Sequence, residues 1–369
     1  MKVLFVFGTR PEAIKLAPLV KAMEKTGRFE VETCITAQHR EMLDQVIDLF
    51  QITPTYDLNL MRPGQSLFGI TAKIMEAMEG VLDQSAPDYV IVQGDTTTAF
   101  CGALAAYYKQ IKVGHIEAGL RTDNKYSPFP EEVNRSLIGR IADHHFAPTQ
   151  LAADNLTREN IDPKSVHIVG NTVIDALFLT LDIINSGGED GFQETFNFLN
   201  FEKRIILITG HRRESFGTPF QNIFEAIKKL ATRYSDVEFV YPVHLNPNIQ
   251  NHVGGILGDQ SNVHLIDPLP YPQLVWLMSK CHLVLTDSGG IQEEAPSLGK
   301  PVLVTREVTE RPEGIEAGVS RIVSTKQSTI ISAVTELLES TEAYGRMSNA
   351  QNPYGDGSSC QQIIDIIEA

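Results

Sequence analysis

Cysteine is scarce in this chain: Cys34, Cys101, Cys281 and Cys360 are the only four in 369 residues, each set singly, with no C-x-x-C pair and no histidine at ligand spacing. That excludes a disulfide-stapled secreted domain and a cysteine-based zinc site, and it fits a reducing compartment. Positive charge is also short. Thirty-one Lys and Arg face forty-six Asp and Glu, a net charge of −15, the wrong sign for gripping a polyanion through counterion release. Nucleic acid and anionic membrane are thereby excluded as partners. No uncharged run approaches the ~20 residues a bilayer span needs. Met1 leads straight into the apolar run Lys2–Phe7, without the longer apolar core and small-residue cleavage site of a signal peptide. Repeats, low-complexity tracts and sustained heptads are missing too, which sets aside solenoids and coiled coils. These absences together predict a soluble, cytoplasmic protein with no membrane insertion.

What is present is ordinary globular material. Hydrophobic residues at 42% and charged residues at 21% leave no room for long disorder or a fibrous repeat, and the length exceeds what one core usually supports, so two domains are expected.

Short β-branched runs alternate with segments of helical period from end to end, the mark of parallel sheets with helical crossovers. In the first half the spacing predicts strands over Lys2–Phe7, Glu30–Thr36, Tyr89–Gln93, Lys112–Ile116, His144–Phe146 and Val166–Val169. Helices are predicted near Pro11–Lys25, Arg40–Phe50, Leu67–Leu82, Thr97–Tyr108, Glu131–Ala142 and Leu151–Arg158. The stretch Asn185–Asn200 interrupts the pattern with glycine and acid. Strands then resume at Arg204–Thr209, Glu238–Val243, Val263–Ile266, Leu283–Thr286, Val302–Thr305 and Arg321–Val323. The fold class is α/β, with two doubly wound Rossmann-like domains facing a central cleft. Residues 1–170 form the N-terminal domain, joined by a C-terminal helix over 354–369, and residues 171–353 form the second.

Ligands in such sheets bind beyond the carboxyl ends of strands, so motifs that directly follow strands come first. The first strand ends in Phe7-Gly8-Thr9-Arg10-Pro11-Glu12. Gly8 permits a tight turn, Pro11 suits the first turn of a helix, and helix-start amides with Arg10 and Lys15 nearby can dock an anion. The same residues equally suit a plain strand-to-helix turn. In the second half, Asp287-Ser288-Gly289-Gly290 leads from a strand into a helix. Two adjacent glycines there lower helical stability unless a ligand uses them. Backbone amides at 288–290 can cradle a diphosphate, and Glu294, one turn on, can accept hydrogen bonds from ribose hydroxyls; a capping turn is the alternative.

Three acids stand at strand ends: Asp95 in QGDTTT, Glu117 in HIEAGLRT and Glu131 in PFPEEVNR. Singly, each fits a helix cap or a surface position. Converging in a partly dry cleft, their mutual repulsion and burial yield an acid and a base at neutral pH. His211, after Thr209-Gly210 and beside Arg212 and Arg213, can move a proton or donate to a departing phosphate. Gln38, His39, Gln65 and His244 are polar loop residues that spacing alone reads as turns and caps.

The motifs FGTRPEAIKLAPLV, TAQHREML, VQGDTTTAFCGALAAYY, HIEAGLRT, PFPEEVNR, TGHRRESFG, PVHLNP, TDSGGIQEEAPSLGKPVLV, TERPEG and NPYGDG, in order from residue 4 to about 357, resemble those of the non-hydrolysing bacterial UDP-N-acetylglucosamine 2-epimerases. The resemblance implies the glycosyltransferase B fold and a homodimer. It implies reversible conversion of UDP-N-acetylglucosamine into UDP-N-acetylmannosamine for surface polysaccharide synthesis, by elimination and re-addition of UDP, with neither cofactor nor metal. Carried over by motif, Asp95, Glu117, Glu131 and His211 are catalytic. Arg10, Lys15, Arg135, Ser288, Gly289, Gly290, Glu294 and Arg311 bind substrate, UDP falling to the second domain. Gln38, His39, Gln65, Arg212 and His244 line a second, activating site for the substrate.

A glycosyltransferase of the same fold is the nearest rival, and the three acids tell against it, since a transferase needs one base and an acceptor groove. A hydrolysing epimerase is closer in chemistry and is separated by its products. A catalytically silent sugar-nucleotide sensor has no chemical need for Asp95, Glu117, Glu131 and His211.

Overall fold

The structure is a computed structural model that describes residues 1–37, 40–60, 64–210, 218–243 and 253–369. The chain forms two compact units, one of Met1–Leu179 with Tyr354–Ala369 and one of Thr180–Pro353. The division falls inside the helix Thr172–Gly187.

The first unit holds a parallel sheet of β1 (Lys2–Phe7), β2 (Glu30–Ile35), β3 (Tyr56–Asp57), β4 (Tyr89–Gln93), β5 (Lys112–Ile116), β6 (His144–Ala147) and β7 (Val166–Ile168). Their order is β3-β2-β1-β4-β5-β6-β7. Val3 of β1 lies opposite Val31 on one side and Tyr89 on the other. Central strands in such a sheet are covered on both faces, which is why runs such as KVLFVF are continuously apolar rather than alternating. Leu4, Val6, Val90 and Val92 pack with Ile74 and Met78 of the helix Leu67–Ser85 and with Cys101 and Ala105 of the helix Thr97–Tyr108. Each such side chain contributes about 1.5–3 kcal/mol by leaving water.

The second unit holds β8 (Arg204–Thr209), β9 (Val237–Pro242), β10 (Val263–Ile266), β11 (Leu283–Thr286), β12 (Val302–Val304) and β13 (Ser320–Ile322), ordered β10-β9-β8-β11-β12-β13. Ile206, Phe239 and Tyr241 pack with Phe224 and Ile227 of the helix Thr218–Arg233 and with Ile330 and Val334 of the helix Gln327–Glu339. In each unit the first strand is central, and the winding reverses beside it, between β1 and β4 and between β8 and β11.

Most element boundaries agree with the spacing of the sequence to within a residue or two. The two-residue β3 escaped it, being too short to show a period. The stretch 185–200 is not a plain interruption: the helix Thr172–Gly187 runs into it, and a short helix, Asp190–Thr195, follows. Phe192 and Phe196 stack on Trp276 at 5.9 and 5.3 Å between ring centroids, and Phe201 meets it edge-on. That apolar anchoring outweighs the glycines that read as a break.

Candidate active site

The turn after β1 begins with a glycine that sterics demand. A Cβ on Gly8 would stand 2.1 Å from Thr36 Oγ1 and 2.7 Å from Thr98 Oγ1, two buried hydroxyls that bond each other at 2.8 Å. Close approach, not a left-handed backbone, is therefore what requires glycine here. Thr9 caps the helix Arg10–Thr26 in a capping box with Glu12. The Glu12 carboxylate accepts the amides of Gly8 and Thr9 at 3.1 and 2.8 Å and the hydroxyls of Thr9 and Thr96 at 2.7 and 2.6 Å. Burial pushes its pKa up, against those four donors. The amides of Gly8 and Thr9 are thus taken by the protein's own Glu12 side chain rather than left for an external anion. Arg10 opens the helix and is half-buried.

Lys15, one turn further, holds Glu117 with Nζ 2.6 Å from both carboxylate oxygens. Glu117 follows β5 at φ +61° and is buried. A left-handed backbone costs a non-glycine residue about 1 kcal/mol, and such strain gathers at functional sites. Gln93, the last residue of β4, also donates to this carboxylate, and Asn171 Nδ2 donates at 3.2 Å. Asp95 leaves β4, the strand paired with β5. It accepts from the Arg135 guanidinium, while Asn134 Nδ2 donates to its carbonyl at 2.9 Å. The preceding carbonyl, Gly94 O, accepts from His115 Nε2 at 2.7 Å. Burial pushes the His115 pKa down to about 3, so the ring is neutral and this nitrogen is the donor.

The trio is thus arranged otherwise than expected. Asp95 and Glu117 do leave neighbouring strand ends, but Glu131 opens the helix Glu131–Ile141, one turn before Arg135. Repulsion between carboxylates is not the organising force, because Asp95 is matched to Arg135 and Glu117 to Lys15. Arg135 and Lys15, expected as substrate cations, are the partners of those acids. Glu132, beside Glu131, is the buried structural acid: it accepts the amides of Thr122 and Asp123 at 3.0 and 3.2 Å and a bond from Arg135 at 3.2 Å.

In the second unit β11 ends at Thr286, and Ser288 precedes the helix Gly289–Ser297 without capping it through its side chain. The first turn of a helix leaves its amides without partners inside the helix, so this start is open to an external anion. The Ser288 amide is not part of that set, since it donates to Thr286 Oγ1 at 2.9 Å; the expected cradle over 288–290 shrinks to the amides of the two glycines. Glu294 is buried and accepts from the Tyr271 hydroxyl at 2.7 Å. Burial and the facing carboxylate push the Tyr271 pKa up. The Arg311 guanidinium binds buried Glu293, and Arg311 Nη2 would stand 4.0 Å from a Cβ on Gly289. Thr309 donates to Gln292 at 2.6 Å, so with Arg311 on Glu293 the segment is fastened to the helix that the glycines open, while two Arg306–Glu310 bonds brace it internally.

Gln65 lies before the helix Leu67–Ser85 and donates to Leu60 O at 3.1 Å. Gln38, His39, His211, Arg212 and His244 lie outside the described residues. Among the described residues, no group of three His, Cys, Asp or Glu is placed to hold a metal ion, and no helix is long and apolar enough to cross a membrane. All four cysteines are buried and free.

Residues 21–368 match the family model described as UDP-N-acetylglucosamine 2-epimerase. The UDP-N-acetylglucosamine 2-epimerase of Escherichia coli (strain K12) is 54% identical over 370 residues, covering 100% of this chain and 98% of that relative. The chain belongs to the UDP-N-acetylglucosamine 2-epimerase family. A crystal structure of the family's protein from Neisseria meningitidis, bound to UDP-GlcNAc, is 50% identical and superposes with a TM-score of 0.92, covering 100% of both chains. An S. aureus relative, in a co-structure with UDP, is 46% identical with a TM-score of 0.89, covering 100% of this chain and 96% of that one. The two parallel-sheet units match these epimerase structures of the glycosyltransferase B-like fold.

Several groups now seen at these strand ends were missed in the sequence. Glu12 was legible through its Thr-x-x-Glu capping box. Gln93, Asn171, Glu293 and Tyr271 gave no signal, because each acts on a residue distant in the chain.

Proposed function

We propose that this chain is a non-hydrolysing epimerase that interconverts UDP-N-acetylglucosamine and UDP-N-acetylmannosamine, supplying surface polysaccharide synthesis. The observation that carries the reading is Glu117, a strained and buried carboxylate at a strand end, gripped by Lys15, Gln93 and Asn171, with Asp95 leaving the adjacent strand. Carbon 2 of the sugar has no carbonyl beside it to acidify its proton. Removing that proton is feasible only as the bond from carbon 1 to UDP breaks, and the developing diphosphate charge must be stabilised in the transition state. The electron pair of the carbon–hydrogen bond becomes a double bond between carbons 1 and 2. Protonation of carbon 2 from the opposite face and return of UDP to carbon 1 complete the inversion.

In this proposal Asp95, Glu117 and Glu131 move the proton, assisted by His211. Gly289, Gly290 and Arg311 hold the diphosphate, with Ser288 shaping the turn before them. Glu294 takes the ribose hydroxyls, and Arg10, Lys15 and Arg135 balance the charge of the acids and of the departing UDP. Substrate activation through Gln38, His39, Gln65, Arg212 and His244 belongs to the proposal, with sigmoidal dependence of rate on substrate as its sign. A homodimer belongs to it as well. Free, buried cysteines agree with a cytoplasmic setting.

Incubation with UDP-N-acetylglucosamine in deuterated water is the test. UDP-N-acetylmannosamine carrying deuterium at carbon 2 is the expected product. Free N-acetylmannosamine with UDP would indicate the hydrolysing reaction instead, and no turnover would overturn both.

A further inference from the structure

The last residues of the chain, in the first unit, close against the start of the helix Thr172–Gly187 at backbone distance. A Cβ on Gly170 would stand 2.8 Å from Ser359 Oγ, 3.1 Å from Gly355 Cα and 3.2 Å from Tyr354 O. Gly355, at φ +117°, faces Gly170 and the Asn171 nitrogen in the same way, at 3.3 and 3.5 Å. The Asn171 amide donates to Tyr354 O at 2.7 Å, and Asp175 accepts the Cys360 amide at 2.9 Å. Tyr354 and Ser359 are fully buried.

Asn171, 1% exposed, has both ends of its carboxamide engaged. Its Oδ1 accepts the Val173 amide at 3.1 Å, capping the helix, and its Nδ2 donates to Glu117 Oε1 at 3.2 Å. The cap decides the amide's orientation, since only the oxygen can accept from Val173, and the NH2 then faces the carboxylate. Capping alone does not call for asparagine: aspartate and serine cap equally well. Only asparagine, among these, caps with one atom and donates from the other.

We infer that Asn171 is a positioning residue for the epimerisation, holding the Glu117 carboxylate in its working orientation, and that the segment Tyr354–Cys360 acts on the reaction by fixing the backbone of Asn171. The inference rests on the reading of Glu117 as a group that acts on the sugar. It gives the end of the chain, remote in sequence from every other site residue of the first unit, a part in the chemistry of that unit.

Asn171→Ser and Asn171→Thr both keep an acceptor for Val173, both lose the amide donor to Glu117, and neither adds a second carboxylate beside it. Loss of a hydrogen bond to a charged group lowers kcat by about 10- to 100-fold, with KM and the affinity for UDP within about twofold and the melting temperature nearly unchanged. In a Glu117→Gln background the same substitutions lower the residual rate by less than about twofold, because residues acting through one another are not additive. Wild-type kcat in both variants overturns the inference. So does a full additional loss on Glu117→Gln, or a fall in melting temperature and UDP affinity that parallels the fall in kcat, which marks a purely structural cap. A wild-type protein that turns over no UDP-N-acetylglucosamine sinks the functional reading and the inference together, whereas an active wild type with unaffected variants sinks the inference alone.

Discussion

Both units place their first strand in the middle and reverse the winding beside it, yet they put different materials at that reversal. In the first unit the positions beyond β1, β4 and β5 carry charged side chains matched in pairs, Lys15 with Glu117 and Arg135 with Asp95. The turn amides of Gly8 and Thr9 are taken by Glu12, and those of Thr122 and Asp123 by Glu132. In the second unit the helix beyond β11 opens on two glycines without a side-chain cap, and its acids, Glu293 and Glu294, face inward to Arg311 and Tyr271. Under the proposed function, one fold plan supplies a place to move protons in one unit and a place to hold a diphosphate in the other. The difference lies in which groups reach the strand ends, which is why fold alone does not specify function.

The comparison can be broken where its largest effect is expected. Glu117→Gln should lower kcat by about 10²- to 10⁴-fold, the usual contribution of a positioned acid or base, while UDP affinity measured by calorimetry changes by less than about threefold. Affinity that falls with turnover would erase the division of labour between the units.

A further prediction concerns acid. Burial pushes His115 down to about 3 and His145 down to about 4, both in the first unit. A histidine held neutral in the folded state takes up its proton on unfolding, so its contribution to stability is present above the unfolded pKa near 6.5 and is lost as the pH falls toward the folded value. His115→Gln keeps a donor for Gly94 O and removes that loss. Its unfolding free energy, followed by denaturant titration, should decline between pH 7 and 5 by about 2 kcal/mol less than that of the wild type. An equal decline would show that the buried ring does not stay neutral.

The smallest effect belongs to the second unit. Tyr271→Phe removes one neutral donor to Glu294 and should raise the Kd for UDP by about three- to tenfold, leaving kcat at saturation unchanged. An unchanged Kd, or a loss confined to kcat, would remove Glu294 from nucleotide binding.

Patterns within a short window were readable from the residues. The alternation of apolar runs and helical period located the strands, and Ser288-Gly289-Gly290 and Gly8-Thr9-Arg10-Pro11 announced helix starts, because these depend on neighbours in the chain. What fastens those starts to the rest of the fold was not readable: Glu12 also takes the Thr96 hydroxyl, 84 positions on, and Arg311 reaches Glu293 across 18, contacts that only the packing of separate elements makes. Nor could spacing separate Glu131 from Glu132, adjacent acids of which one is half-buried at the helix start and the other buried under backbone amides.

Local sequence by itself determined two α/β units with chemistry-bearing residues at strand ends, since periodicity and turn chemistry act over a few residues. Only the tertiary structure decided which acid meets which cation. The Lys15–Glu117 and Asp95–Arg135 pairs span 102 and 40 positions of sequence, and the Asn171–Glu117 bond spans 54. Such partners meet because the sheet order brings β1, β4 and β5 side by side, and burial then lets each charge persist only where a counter-charge or donor is within reach.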